Sequence, residues 1–144
     1  MILTLLLTAS LAPVVILLIY IYAKDQYRKE PFGVLMKAFL GGIGAALMVL
    51  LLAYPLKIVD TQQFTSPFLA SFFEAFCQAA IPEELCKFFF LYILIWNNRN
   101  FDEYYDGIEY AVFVGLGFAG LENVLYVLQG GLQIALGRAF FAVP

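Results

Sequence analysis

Apolar residues run along this chain in long blocks parted by short polar stretches, without the alternation of a half-buried strand or the striping of a soluble helix. Residues 1–23 are apolar apart from hydroxyl side chains, and at about 1.5 Å per residue they can cross a hydrocarbon core of roughly 30 Å. The block lacks a basic start and a small-residue cleavage site, so it reads as a retained transmembrane helix and not as a signal peptide. The charged stretch Lys24-Asp25-Gln26-Tyr27-Arg28-Lys29-Glu30-Pro31 follows, with a proline suited to a helix start. In the second block, residues 32–59, Gly41, Gly42, Gly44, Ala45 and Ala46 include two four-residue spacings, which predicts close packing of membrane helices.

After a polar turn at 61–67, the third block covers residues 68–96, about 29 residues or roughly 43 Å as a straight helix. That excess demands tilt, an interfacial start or a break, and Pro82, which cannot donate a hydrogen bond to Gln78, is the expected break. Ser71, Ala75, Ala79, Glu83 and Lys87 fall at four-residue steps, a stripe expected to face other helices. A polar loop at 97–106 leads to the fourth block, 107–128, with Gly107, Ala111, Gly115 and Ala119 on a small face of the same kind. A fifth segment, 132–143, starts after Gly130-Gly131 and is too short to cross. The expected fold is therefore an all-α polytopic bundle, one membrane domain over residues 1–144, with four full transmembrane helices and the start of a fifth.

Composition agrees with this pattern. Hydrophobic residues make up 63% of the chain and charged residues 13%, against roughly 45–50% and 25% in soluble domains, so an integral membrane protein is expected. The net charge of −3 describes no solvated acidic face, and nothing suggests nucleic-acid binding. Lys24, Arg28, Lys29 and Lys37 outweigh Lys57, which puts the 24–31 and 97–106 loops in the cytoplasm and the N-terminus outside. Cys77 and Cys86, nine residues apart on opposite sides of one helix, support neither a disulfide nor a CxxC site. With no histidine in the chain, His-based zinc sites and Ser-His or Cys-His pairs are ruled out, and chemistry falls to carboxylates. No cofactor is predicted; the residues neither require nor exclude a metal, and they specify no oligomeric state.

Those carboxylates lie where a bilayer disfavours them. Glu83, Glu84 and Lys87 sit within the third block, and Glu122 and Asn123 near the middle of the fourth, although an intramembrane charge costs roughly 2.5–3.5 kcal/mol on insertion scales. On a helix Lys87 is about 40° from Glu83 and about 60° the other way from Glu84, so it can neutralise one of them. Peptide hydrolysis in a membrane needs a water-filled pocket, a general base, an oxyanion donor and an open helix surface. Glu83 or Glu84, Glu122, Lys87 and Asn123 can supply the polar groups, and the glycines near Glu122 leave room for a backbone. Other readings stand beside this one: a buried ion-pair network that fixes packing, a scaffold that binds a transmembrane helix without catalysis, or a proton or ion carrier. Phe118 reads as packing or as part of the site, Asp106 as a helix cap or a supporting residue, Glu74 and Gln78 as interfacial, and Phe88, Phe89 and Phe90 as lipid-facing or interfacial aromatics.

Four motifs in order, the 25–31 charged stretch, Glu83-Glu84-Leu85-Cys86-Lys87, Asp106-Gly107 and Phe118 to Asn123, resemble the PrsW family of membrane proteases over nearly the whole chain. That family looks related to the glutamate-dependent intramembrane proteases that include CAAX prenyl endopeptidases and bacterial Abi proteins. The resemblance implies that Glu83 or Glu84 activates water, that Lys87 supports the carboxylate pair and that Glu122 with Asn123 completes the site. It implies signalling proteolysis of a single-pass membrane substrate such as an anti-sigma factor. The family also has a histidine motif, and residues 137–144 resemble the approach to it. Either the chain is the N-terminal part of a longer protease or its site is incomplete.

Overall fold

The computed structural model describes residues 2–24, 29–56, 66–96 and 98–141. Residues 25–28 of the charged stretch, 57–59 of the second block and 61–65 of the polar turn lie outside the described residues, as do 142–144. The described architecture is all-helical: α1 (Ile2–Lys24), α2 (Phe32–Leu56), α3 (Pro67–Phe72), a π-helical stretch (Phe73–Ala80), α4 (Ile81–Ile95) and α5 (Tyr104–Phe141). Among the described residues three helical segments are long and apolar enough to cross a membrane, Leu3–Lys24, Phe32–Leu52 and Tyr104–Gln129, against the four expected; the third block is not one of them.

At Pro82 the chain stays helical but changes its pitch just before the proline. Phe72, Phe73, Ala80 and Ile81 all keep right-handed helical dihedrals, so α3, the π-helical stretch and α4 form one rod. Within it the amide of Ile81 reaches the carbonyl of Phe76, five residues back. This wider turn carries the preceding carbonyls off the proline ring, so the chain absorbs the missing N–H by a change of pitch. The expected small-residue stripe is only partly buried: Ser71 and Ala75 are exposed and Ala79 is half-buried. The second departure is at Gly130-Gly131, where α5 continues through to Phe141 as a single helix of 38 residues, about 57 Å long. The expected fifth segment is its continuation.

α5 is the axis of the bundle, packing most extensively against α2 and α1 and more lightly against α4. One core cluster joins Leu35 and Ala38 of α2, Ile95 of α4, and Tyr110, Phe113 and Val114 of α5; a second joins Ala45, Ala46, Cys86 and Phe118. The glycines predicted for close packing divide between two neighbours. A Cβ at Gly42 would lie 1.9 Å from the Val114 carbonyl oxygen, and one at Gly117 would lie 2.0 Å from that of Phe39, so α2 and α5 touch backbone to backbone. Gly41 and Gly44 instead face Leu94 and Phe90 of α4. Phe90 therefore packs inward, contrary to expectation, while Phe88 and Phe89 are exposed like Leu5, Ile16, Leu47 and Leu51, a surface suited to lipid tails. Both cysteines are free; Cys86 is buried in the core and Cys77 is half-buried.

Candidate functional site

The polar residues of the third and fourth apolar blocks converge on one side of α5. An open groove of about 520 Å³ has Glu83 and Lys87 of α4 on one wall and Leu17 and Ile21 of α1 on the other. Its floor belongs to α5 and includes Gly115, Ala119 and Glu122. Glu122 and Phe118 also border a smaller cavity of about 230 Å³ on the α2 side. The structure thus brings Glu83, Lys87, Phe118 and Glu122 together.

Glu84 departs from its neighbour. Successive helix side chains point about 100° apart, and Glu84 turns outward with its side chain 72% exposed, while Lys87 is only 22% exposed. The Lys87 ammonium bridges the difference, donating to Glu84 Oε1 at 2.7 Å. The same ammonium stands 4.2 Å from the centroid of the Phe118 ring, where the ring's negative face attracts it. Phe118, 2% exposed, is therefore both a core residue and a seat for the only lysine of this groove among the described residues.

Asn123 and Asp106 do not line the groove and are bound elsewhere in the bundle. Asn123 is fully buried, and its Nδ2 donates to the carbonyl oxygen of Ser10 on α1 at 2.9 Å. Pro13 inside α1 removes the rung to the Ala9 carbonyl, and the Asn123 bond falls on the next carbonyl of the same turn. The Asn123 amide is thus directed at α1 and not at the groove. Asp106, 3% exposed and in the first turn of α5, reaches back to accept from the amides of Glu103 at 2.7 Å and Asp102 at 3.1 Å, which caps the start of the helix from within. It stands sixteen residues before Glu122, about 24 Å along the helix, so the two share no site.

Sequence reasoning missed a second polar cluster near the start of α5. The Tyr110 hydroxyl donates to the carboxylate of Glu30, and both residues are buried. Glu109 is buried beside them at 1% exposure. Of these only Glu109 left a signal, an acid within an apolar block as Glu83 is. A polar pocket of about 270 Å³ lined by Lys29, Glu30, Arg99 and Asp102 opens nearby.

A family model described as PrsW family intramembrane metalloprotease matches residues 30–144. Proteins named Protease PrsW are similar over most of the chain. The one from Geobacillus kaustophilus (strain HTA426) is 40% identical over 139 residues, covering 96% of this chain and 59% of that protein. Those from Bacillus subtilis (strain 168) and Clostridioides difficile (strain 630) are 37% and 33% identical, covering 94% of the chain and 60% and 57% of their own lengths. The chain thus spans about three-fifths of the length of these relatives. No solved structure matches it.

The family description includes a metal. Among the described residues no cluster of three His, Cys, Asp or Glu side chains is placed to hold an ion, and the groove is lined by two carboxylates, Glu83 and Glu122, and one ammonium, that of Lys87. This donor set does not by itself fit a metal centre, which takes three or four N, S or O ligands.

Proposed function

The chain belongs to the PrsW family, and from that premise we propose that it hydrolyses a peptide bond of a single-pass membrane protein within the bilayer, using water activated by a carboxylate. The observation that carries this reading is the groove that Glu83 and Lys87 of α4 share with Glu122 of α5. Glu83 is the favoured base, because Glu84 turns outward and is bound to Lys87. A water held between Glu83 and Glu122 gives a proton to Glu83 as its oxygen attacks the scissile carbonyl carbon. The Lys87 ammonium, an N–H donor on the same groove, stabilises the oxyanion, which falls to it because Asn123 is engaged with Ser10. The proton then passes to the leaving amine nitrogen as the C–N bond breaks.

Around this site we read four membrane crossings: α1, α2, the rod from Pro67 to Ile95, and α5. The positive-inside rule puts the 24–31 and 97–106 loops in the cytoplasm and the N-terminus outside. That end of the bundle carries the buried Glu30–Tyr110 pair. A substrate of the anti-sigma-factor kind, one membrane helix with a soluble domain, suits a groove open along α5, and its cleavage would be a signalling step.

The test uses the full-length protein, reconstituted in liposomes with a single-pass substrate labelled at both ends. The parent should release two fragments, and Glu83→Gln and Glu122→Gln should each slow release by roughly 10²-fold or more, the usual worth of a general base. Glu84→Gln should slow it less. Unchanged release after all three substitutions together would reject the proposal; substrate capture without fragments would favour a scaffold, and pH-dependent flux a carrier.

A further inference from the structure

Gly42 and Gly117 have a packing reason, since a Cβ at either would meet backbone at about 2 Å. Gly115 has none: a Cβ built there meets nothing within 4 Å, although the residue lies well inside α5. Glycine weakens a helix relative to alanine, so the fold alone gives no reason to prefer it. What Gly115 does border is the groove, with Ala119 and Glu122. From Gly115, Ala119 is about 40° around the helix and Glu122 about 20° the other way, so the three form one strip. The strip rises about 10 Å from Gly115 to Glu122, the length of roughly three residues of extended chain.

We propose that Gly115 is a specificity-determining residue of this groove, keeping its floor low so that a substrate main chain lies against α5 about three residues from the bond brought to Glu122. This rests on the reading of the groove as a proteolytic site and adds the class of segment that it takes. At Gly115 and Ala119 the floor is bare backbone and one methyl group, a low strip between Val112, Leu116 and Phe118 of the same helix, with Leu17 and Ile21 opposite Glu83 and Lys87. Close approach of a second backbone to such a surface requires small side chains on both partners. The preferred substrate is therefore a transmembrane segment with glycine, alanine or serine about three residues from the scissile bond. A branched side chain at position 115 would stand in the strip and lift the main chain away from Glu122 while leaving the bundle undisturbed.

The experiment compares two synthetic single-span leucine–alanine peptides, one with Gly-Ala-Gly at its centre and one with Leu-Phe-Leu, each in a version carrying a benzophenone side chain beside that motif. With the full-length protein, the Gly-Ala-Gly peptide should be cleaved and photocrosslinked at least tenfold better. Gly115→Leu should abolish that preference, chiefly through KM, with an unchanged unfolding midpoint, and Gly115→Ala should keep most of it. Equal handling of both peptides by the parent, undiminished crosslinking to Gly115→Leu, or unfolding of Gly115→Leu as severe as that of Gly117→Ala would each overturn the proposal. Crosslinking in the Glu83→Gln, Glu122→Gln background separates the two readings: preference that persists there and is lost with Gly115→Leu supports the role of Gly115 even if cleavage proves independent of the glutamates.

Discussion

Adding one methyl group at Gly42 tests the packing that sets the geometry of the bundle. Its Cβ would lie 1.9 Å from the Val114 carbonyl oxygen and 2.8 Å from the Phe118 nitrogen. A carbon–oxygen contact settles near 3.3–3.6 Å, so Gly42→Ala must part α2 and α5 by about 1.4 Å. No rotamer change can relieve this, because both obstacles are backbone, and α2–α5 is the most extensive helix contact in the bundle. Overpacking costs about 1–3 kcal/mol where side chains can adjust, so we expect about 3 kcal/mol here, a shift of roughly 100-fold in the folding equilibrium. Gly117→Ala, whose Cβ would lie 2.0 Å from the Phe39 carbonyl oxygen, should behave alike. The double variant should lose less than the sum, since the first methyl already parts the helices that the second would strike. Gly33→Ala is the control, because a Cβ there meets nothing within 4 Å. The assay is unfolding in mixed micelles over a series of SDS fractions, followed by circular dichroism and by the single tryptophan, Trp96. A midpoint for Gly42→Ala equal to that of Gly33→Ala would refute the reasoning, because a rigid backbone contact at 1.9 Å cannot be absorbed silently.

Three further substitutions separate scaffold from site. Asn123→Ala removes the tie to the Ser10 carbonyl and should lower stability by about 0.6 kcal/mol, up to roughly 1.7, the range of hydrogen bonds between membrane helices; the same SDS titration measures it. Asp106→Ala should cost about 1 kcal/mol as a lost helix cap, and cleavage per folded molecule should stay at the parent level, which a proteolysis assay normalised to folded protein checks. For the ammonium over the Phe118 ring, a double-mutant cycle of Lys87→Met and Phe118→Leu should give a coupling of about 0.5–2 kcal/mol, whereas packing alone would leave the two effects additive.

The sequence made the helices legible because membrane helices announce themselves by apolar length, and α1 and α2 begin and end close to the blocks that predict them. The glycine patches were legible for the same reason, but which helix each one meets was not. Gly41 and Gly42 are neighbours in sequence, yet one faces Leu94 of α4 and the other the α5 backbone. Pro82 and Gly130-Gly131 misled in one direction: each is a helix breaker in water, and each sits within a continuous helix here. In an apolar solvent the main chain has no other partner, so a change of pitch or a glycine in the ladder costs less than opening it. The Glu30–Tyr110 pair joins residues eighty positions apart and leaves no local pattern to read.

Adjacent polar residues expose the limit most clearly. Sequence left open which of Glu83 and Glu84 faces the site and took Glu122 with Asn123 together, but neighbours on a helix point about 100° apart and meet different surroundings. The structure resolves each doublet into one groove residue and one residue with another engagement: Glu84 outward to Lys87, Asn123 across to Ser10. Which member faces the groove is fixed by the azimuth of its helix, and for α5 that azimuth is set by the backbone contacts at Gly42 and Gly117 together with the Asn123 tie. A rotation of α5 by one residue would put Asn123 where Glu122 stands and replace a carboxylate by an amide that cannot accept a proton. The glycines of the α2–α5 seam therefore act on the site without lining it, by deciding which side chain α5 presents to Glu83 and Lys87.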